Sequence, residues 1–461
     1  MKIKGALLRS AAIAALGGLL FGFDTAVISG AEGTLKLIFA DTYASLSGFI
    51  GNPGSWHGFT VATALIGTIM GSILVGRPAD RHGRRTILFV LGAFYFISAL
   101  GSALAWNWAS FVIFRFVGGL AVGGSSVVAP MYNAEISPAR FRGRMVALTQ
   151  FNIVFGVLLA FSSNYIISSL DLGDTTWRWM FGVEALPAIT FFFLLFTNPR
   201  SPRWLIAQNR VDEARRVIWR LGADADNVEE EILEIQDSLK AEKNSPKEAL
   251  FQARYVKPIM LAVAIAIFNQ LSGINALMYY APRIFGMAGF AEDSAMLSSV
   301  GVGFVNIIFT MTAMLIIDHF GRKKLMLVGS IGYIISLGTT AWTFYRQGND
   351  FNQAGSAVVL ISLLVFIAAH AFGQGAVIWV FISEIFPNRV RARGQALGSF
   401  THWFMAAAIS WTFPIFAEAS GGYIFTIYAM CMVGQLIWVL LVMPETKGIS
   451  LEKMQKKLGI R

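Results

Sequence analysis

A chain of 461 residues that is 55% hydrophobic and only 14% charged is not an ordinary soluble domain, in which about a quarter of residues carry charge. Its mean hydropathy of +0.60 requires most of it to face lipid or other apolar helices. The formal charge of +10 would suggest nucleic acid as partner of a soluble protein, but in a membrane protein it marks the side on which basic loops are retained, and no nucleic-acid partner is expected.

Apolar stretches of about 20 residues predict twelve spans, over 8–30, 57–76, 86–106, 108–131, 146–169, 179–197, 256–280, 297–317, 324–345, 357–384, 394–417 and 422–443. The first run is too long for a signal peptide, lacks a small-residue cleavage pattern and carries an Asp, so it is expected to be retained. An even number of spans puts both termini on one side. With that side cytoplasmic, Lys36, Arg178, Arg283 and Arg346 are the only basic residues in outer loops, and Arg115 lies within a span. All the other Lys and Arg then fall inside.

The segment after the sixth span is rich in Glu, Arg and Lys. In Val211–Ile218 and Val228–Ile235, apolar residues three and four apart predict short amphipathic helices, a solvated connector without chemistry of its own. The chain is therefore expected to divide into a six-helix bundle (1–198), a helical linker (199–252), a second six-helix bundle (253–445) and a tail (446–461). The only cysteine, Cys431, excludes an intrachain disulfide and a cysteine-based metal site. No nucleophile–base set, phosphate loop or metal cluster appears, so neither an enzyme nor a cofactor is expected. The absence of an Asn-x-Ser/Thr sequon favours a bacterial inner membrane.

The two halves repeat each other. Gly76-Arg77-Pro78-Ala79-Asp80-Arg81-His82-Gly83-Arg84-Arg85 returns as Asp318-His319-Phe320-Gly321-Arg322-Lys323-Lys324. Glu135-Ile136-Ser137-Pro138-Ala139-Arg140-Phe141-Arg142 returns as Glu384-Ile385-Phe386-Pro387-Asn388-Arg389-Val390-Arg391. Duplicated loops joining apolar spans are the organisation of a membrane carrier.

Asp24 sits well inside the first span and Arg115 inside the fourth. Each costs about 2.5–3.5 kcal/mol on insertion scales, so opposite signs within one half suggest a pair. The pair either locks two helices together or forms a proton site. Desolvation favours the neutral acid and a nearby Arg the carboxylate, so protonation can follow conformation. Arg does not deprotonate, which leaves Asp24 as the carrier.

Together with Ser201-Pro202-Arg203, Gln270-Leu271-Ser272-Gly273-Ile274-Asn275 and Pro444-Glu445-Thr446-Lys447-Gly448, these motifs resemble the sugar porter family of the major facilitator superfamily from about Leu16 to Lys447. The resemblance implies an all-α membrane protein of twelve transmembrane helices in two six-helix pseudo-repeats. It also implies a carrier that moves a monosaccharide by alternating access, monomeric in the bilayer. By motif, the sugar site comprises Gln150, Gln270, Asn275, Asn306 and Trp379, with Phe21, Asn269, His370, Gly375, His402 and Trp403 around it. Amides that donate and accept suit hydroxyls, and an indole suits the apolar face of a sugar ring. Asn306 could equally serve helix–helix bonding. Tyr279 and Tyr280 correspond to an outer gate, or else to an interfacial aromatic belt. Asp80, Arg81, Arg84, Arg85, Glu135 and Arg142, with Asp318, Arg322, Glu384 and Arg391, correspond to a cytoplasmic latch of salt bridges.

Some positions depart from the family pattern. Asp24 stands where facilitators are uncharged, which favours proton symport over the alternatives, a uniporter or a sugar sensor. Phe23 replaces a commoner Tyr, Asn269 a Gln, His402 an Asn or Gln, and Arg200 an acid. His370 falls where an aromatic is usual, with helix packing as its alternative role. The tenth span lacks the usual prolines, so any hinge there depends on Gly373 and Gly375.

Overall fold

A computed structural model describes residues 5–48, 51–138, 141–221, 225–244, 248–348, 350–449 and 451–460. Among these, regular structure is entirely helical. The long helices are α1 (Gly5–Ile38), α2 (Pro53–Leu74), α3 (Arg84–Ala103), α4 (Trp108–Glu135), α5 (Arg142–Ser169) and α6 (Gly173–Thr197), then α7 (Ala253–Met287), α8 (Glu292–Phe320), α9 (Arg322–Gln347), α10 (Gln353–Ile385), α11 (Arg391–Ala419) and α12 (Gly421–Leu441). All but α11 are both long and apolar enough to cross a bilayer. Helix α11 has the length, 29 residues, but its interior carries Thr401, His402, Ser410 and Thr412. Helices dominate because lipid offers no partner for a bare backbone N–H or C=O.

Four details differ from the expected spans. Helix α1 runs 34 residues, about 51 Å at 1.5 Å per residue, and so carries Glu32 and Lys36 on its far end rather than in a loop. A short helix, Ala40–Ser47, follows it. Arg283 lies within α7, not in an outer loop. Helix α6 is interrupted at Val183 and Glu184, because Pro187 has no N–H to give the Val183 carbonyl; the Leu186 N–H reaches that carbonyl instead, at 3.2 Å. The linker helices appear as Pro202–Ala207, Val211–Leu221 and Ala225–Asn244, with Ala214, Ile218, Val228 and Ile232 buried against Trp204 and Leu205.

The chain forms two compact units that do not follow chain order. One holds Met1–Asp24, Ile66–Val157 and Phe181–Lys247; the other holds Thr25–Leu65, Leu158–Met180 and Glu248–Arg461. The first unit packs around Leu88, Leu91, Tyr95, Val128, Tyr132 and Phe191. The second packs around Ile265, Met326, Ile378, Phe381 and Val439.

Within the first unit α1 and α5 touch backbone to backbone. A Cβ on Gly22 would lie 1.9 Å from the Ile153 carbonyl oxygen, and one on Gly156 would lie 2.1 Å from that of Leu19. Lipid gives helices no hydrophobic reason to associate, so close approach over small residues supplies the packing. Gly22→Val should therefore cost about 1–3 kcal/mol through overpacking. A lower thermal midpoint in detergent, with Gly22→Ala falling between the two, is the expected outcome, and an unchanged midpoint would contradict this contact.

Candidate functional site

Asp24 and Arg115 meet as the sequence suggests. Both are 1% exposed, and Arg115 Nη1 donates to Asp24 Oδ1 at 2.6 Å while Nη2 donates to the Asp24 carbonyl at 3.2 Å. The guanidinium also lies over the Phe181 ring, 5.3 Å from its centroid. The residue at position 118 has to be small, since a Cβ there would stand 2.3 Å from Ser98 Oγ and 3.2 Å from Asp24 Oδ1.

A third charge belongs to this site and was not singled out from sequence. Glu184, at the break in α6, is 1% exposed, lies within electrostatic reach of Asp24 and Arg115, and has no hydrogen-bond partner on either oxygen. Two carboxyls and one guanidinium in a dry interior cannot all be ionised and balanced. The signal was available, because Glu184 falls inside the predicted sixth span.

A separate polar cluster lies in the second unit. Helix α7 breaks between Leu271 and Ile274, with Gly273 at φ +85°, a conformation that a side chain disfavours; a Cβ there would also strike the Tyr428 ring at 2.5 Å. The break turns three amides together. Gln270 Nε2 donates to Asn269 Oδ1 at 3.0 Å, and Asn275 Nδ2 donates to Gln270 Oε1 at 2.6 Å. His402 of α11 faces the same amide, its ring nitrogens 3.3 Å from Gln270 Nε2. Its ring lies 5.0 Å from that of Trp379 on α10 and 4.9 Å from that of buried Trp403. Trp379 itself is 41% exposed. These amides satisfy each other, so a ligand hydroxyl can exchange for an internal bond without leaving a buried group bare.

Other expected residues are engaged elsewhere. His370 Nδ1 lies 2.7 Å from the Tyr333 hydroxyl, tying α10 to α9. Asn306 Oδ1 accepts from Thr310 at 3.3 Å. Gly375 ends a π-helical turn, Ala371–Gly375, in the span that lacks prolines. Tyr279 and Tyr280 are buried; the Tyr280 hydroxyl donates to the Ser410 carbonyl at 2.8 Å, and its backbone is non-helical two residues before Pro282. Phe21 and Gln150 belong to the first unit and are half-buried there.

The duplicated loops fold alike. In the first unit Arg84 bonds Glu135 at 2.9 Å, Asp80 at 3.0 Å and the Ala79 carbonyl at 2.9 Å. In the second, Arg322 bonds Glu384 at 2.9 Å, Asp318 at 3.0 Å and the Ile317 carbonyl at 3.2 Å. A hydroxyl missed in the sequence completes each set, with Ser201 donating to Glu135 at 2.5 Å and Thr446 donating to Glu384 at 2.6 Å. Arg85 holds the Leu195 and Phe196 carbonyls, Arg391 holds that of Phe386 at 3.4 Å, and Arg81 is exposed. The side chain of Arg142, like Ala139 and Arg140, lies outside the described residues.

Comparison with known proteins identifies the family and fold. Residues 10–458 match the family described as sugar (and other) transporter. The chain is 37% identical over 472 residues to the D-xylose-proton symporter of Escherichia coli, covering 96% of this chain and 94% of that one. It is 35% identical to the arabinose-proton symporter of Bacillus subtilis, covering 96% and 93%. The inward-open structure of the Escherichia coli xylose transporter superposes with a TM-score of 0.85 at 35% identity, covering 98% of this chain and 99% of that one.

Glu445 shows how the loops are anchored. Partial burial would raise its carboxyl, but backbone N–H donors from Lys447, Arg322, Lys323 and Thr446 hold it below the ordinary carboxylate range. A depressed acid contributes stability above its unfolded value, and that contribution disappears as pH falls through its folded value. Glu445→Gln should therefore lower the thermal midpoint at neutral pH by a few degrees and flatten its acid-side decline. An unaltered acid limb in the variant would refute this anchoring.

Proposed function

The chain belongs to the sugar transporter family of the major facilitator superfamily, and on that premise we propose that it carries a monosaccharide across the membrane together with a proton. It is a multi-pass membrane transporter and not an enzyme. The observation that carries the proton reading is the dry Asp24–Arg115 pair with Glu184 beside it. The named symporter relatives support the same coupling.

In this reading Gln270, Asn275 and His402 take the sugar hydroxyls, and Trp379 offers its exposed face to the ring. Gln150, Asn269, Asn306, Phe21, His370, Gly375 and Trp403 complete the surroundings. The six-helix halves, 1–198 and 253–445, are the bodies that rock, with the linker and both termini in the cytoplasm. Arg84 and Arg322 with their acids hold the loops of the inner face in shape. Each such bridge contributes about 0–1 kcal/mol near water, enough in sum to bias two states. Tyr279 and Tyr280 close the outer side over the sugar. The membrane is a bacterial inner membrane and the working unit a monomer.

Water reaching Asp24 when Arg115 withdraws lets the carboxyl exchange its proton; with the pair re-formed in the dry interior, the proton is released. Proteoliposomes given an inward proton gradient should accumulate sugar above equilibrium. Asp24→Asn should abolish accumulation while sparing exchange of sugar at equal concentrations. Accumulation that persists in the variant would exclude Asp24 as the coupling group. Facilitated but never concentrative uptake by the unaltered protein would identify a uniporter instead.

Gln270→Ala and Trp379→Ala should each weaken sugar binding by tenfold or more, since each removes about 1.4 kcal/mol or more of hydrogen bonding or ring contact. Titration calorimetry with a panel of pentoses and hexoses checks this and identifies the preferred sugar. Wild-type affinity in both variants would move the site elsewhere.

A further inference from the structure

Toward the end of α1 opposite the amino terminus, a second set of charges is buried. Glu32 is 2% exposed and His57, on α2, is fully enclosed. His57 Nε2 lies 2.6 Å from Glu32 Oε1, and Arg283 of α7 donates to the same oxygen at 3.0 Å. Outside them, Lys36 of α1 and Arg283 both face Glu418 of α11, at 2.7 and 3.7 Å. The Tyr43 ring stands edge-on to His57, its centroid 5.7 Å away, and Tyr280 lies within electrostatic reach of Glu32.

The charges balance only one way. Lys36 and Glu418 pair with each other in solvent, whereas within the buried group Arg283 matches Glu32 and no second acid remains for His57, which is neutral. The hydrogen bonding agrees: Nε2–H donates to Glu32, and Nδ1 has no partner. A doubly protonated ring would bury a second N–H with nothing to accept it, and an uncompensated positive charge with it.

We propose that Glu32 and His57 form a second proton-binding site, independent of Asp24, which fills when this end of the protein opens and empties when Arg283 closes it. The proposal rests on alternating access. When α7 and α11 part from α1 and α2, Arg283 and Glu418 leave together. Glu32 and His57 stay paired, because both belong to the side that α7 and α11 leave, on α1 and α2. Glu32 then lacks its guanidinium, and water reaches the imidazole. Lys36, one turn outward and already exposed, loses Glu418 and stays in solvent, where it offers Glu32 little counter-charge. A proton from the adjoining solution on His57 restores the balance. On closure Arg283 takes over as counter-charge and the proton returns to that solution. Acid on this side therefore favours the open state, and each unit of difference in proton affinity between the states biases the equilibrium by up to about tenfold.

The test uses spin labels at Ala44→Cys and Glu292→Cys in a Cys431→Ser background, reconstituted in liposomes without sugar. Distance distributions by electron–electron double resonance should gain a longer component as pH is lowered from about 8 to about 5. His57→Gln and Glu32→Gln should each abolish that response, and Asp24→Asn should retain it. Arg283→Gln should show the longer component at both pH values. No pH response in the parent, or the same response in either His57→Gln or Glu32→Gln, would overturn the site. Because no sugar enters this measurement, a loss of all sugar uptake with the response intact rejects the transport reading alone. Uptake with no such response rejects the site alone.

Discussion

A charge taken into a low-dielectric interior has to carry its counter-charge with it, and this requirement decides which helices touch. Asp24 and Arg115 tie α1 to α4. Glu32, His57 and Arg283 tie the far end of α1 to α2 and α7. Arg84 with Glu135, and Arg322 with Glu384, fasten the ends of the helices that their loops connect. Each tie is polar, so each can be undone by water or a proton, whereas a contact such as Gly22 against Ile153 cannot. Apolar and small-residue contacts hold the scaffold permanently, while the ionic ties allow it to exist in more than one state.

The irregular backbone follows the same logic. Helix α6 breaks at Glu184, α7 at Gly273, and α10 widens into a π turn at Ala371–Gly375. Non-helical backbone at membrane depth survives only where protein or a cavity lines it. All three breaks bear buried polar groups directly: the carboxyl of Glu184, the amides around Gln270, and Gln374, which donates to Gln435. A continuous helix would have spread those amides around its circumference.

Much of this was legible in the sequence because periodicity and charge are local properties. Twelve spans, the duplicated loops and the meeting of Asp24 with Arg115 follow from apolar run length and the cost of burying charge. Glu32, His57 and Arg283 were not legible as a group, since the first and seventh spans were drawn too short, which put Glu32 and Arg283 in loops and left His57 alone at the edge of the second span. Nothing local says that positions 32, 57 and 283 converge. Ser201 and Thr446 were hidden for a related reason: hydroxyls are common, and only the fold shows that each completes an equivalent acid–arginine set.

The π turn in α10 has a consequence for register. Five residues there occupy the arc of a turn wider than the α-helical one, so everything after Gly375 is displaced around the axis relative to an uninterrupted helix. Were the same five residues wound as α-helix, the following segment would be turned by roughly 90° about the axis. That segment, Ala376–Ile385, is a single rigid piece bearing Trp379 near one end and Glu384 at the other. The indole beside the amides and the acid that grips Arg322 are thus indexed to each other. One angular setting serves both ends of the segment, and neither residue can be re-aimed by this turn without the other.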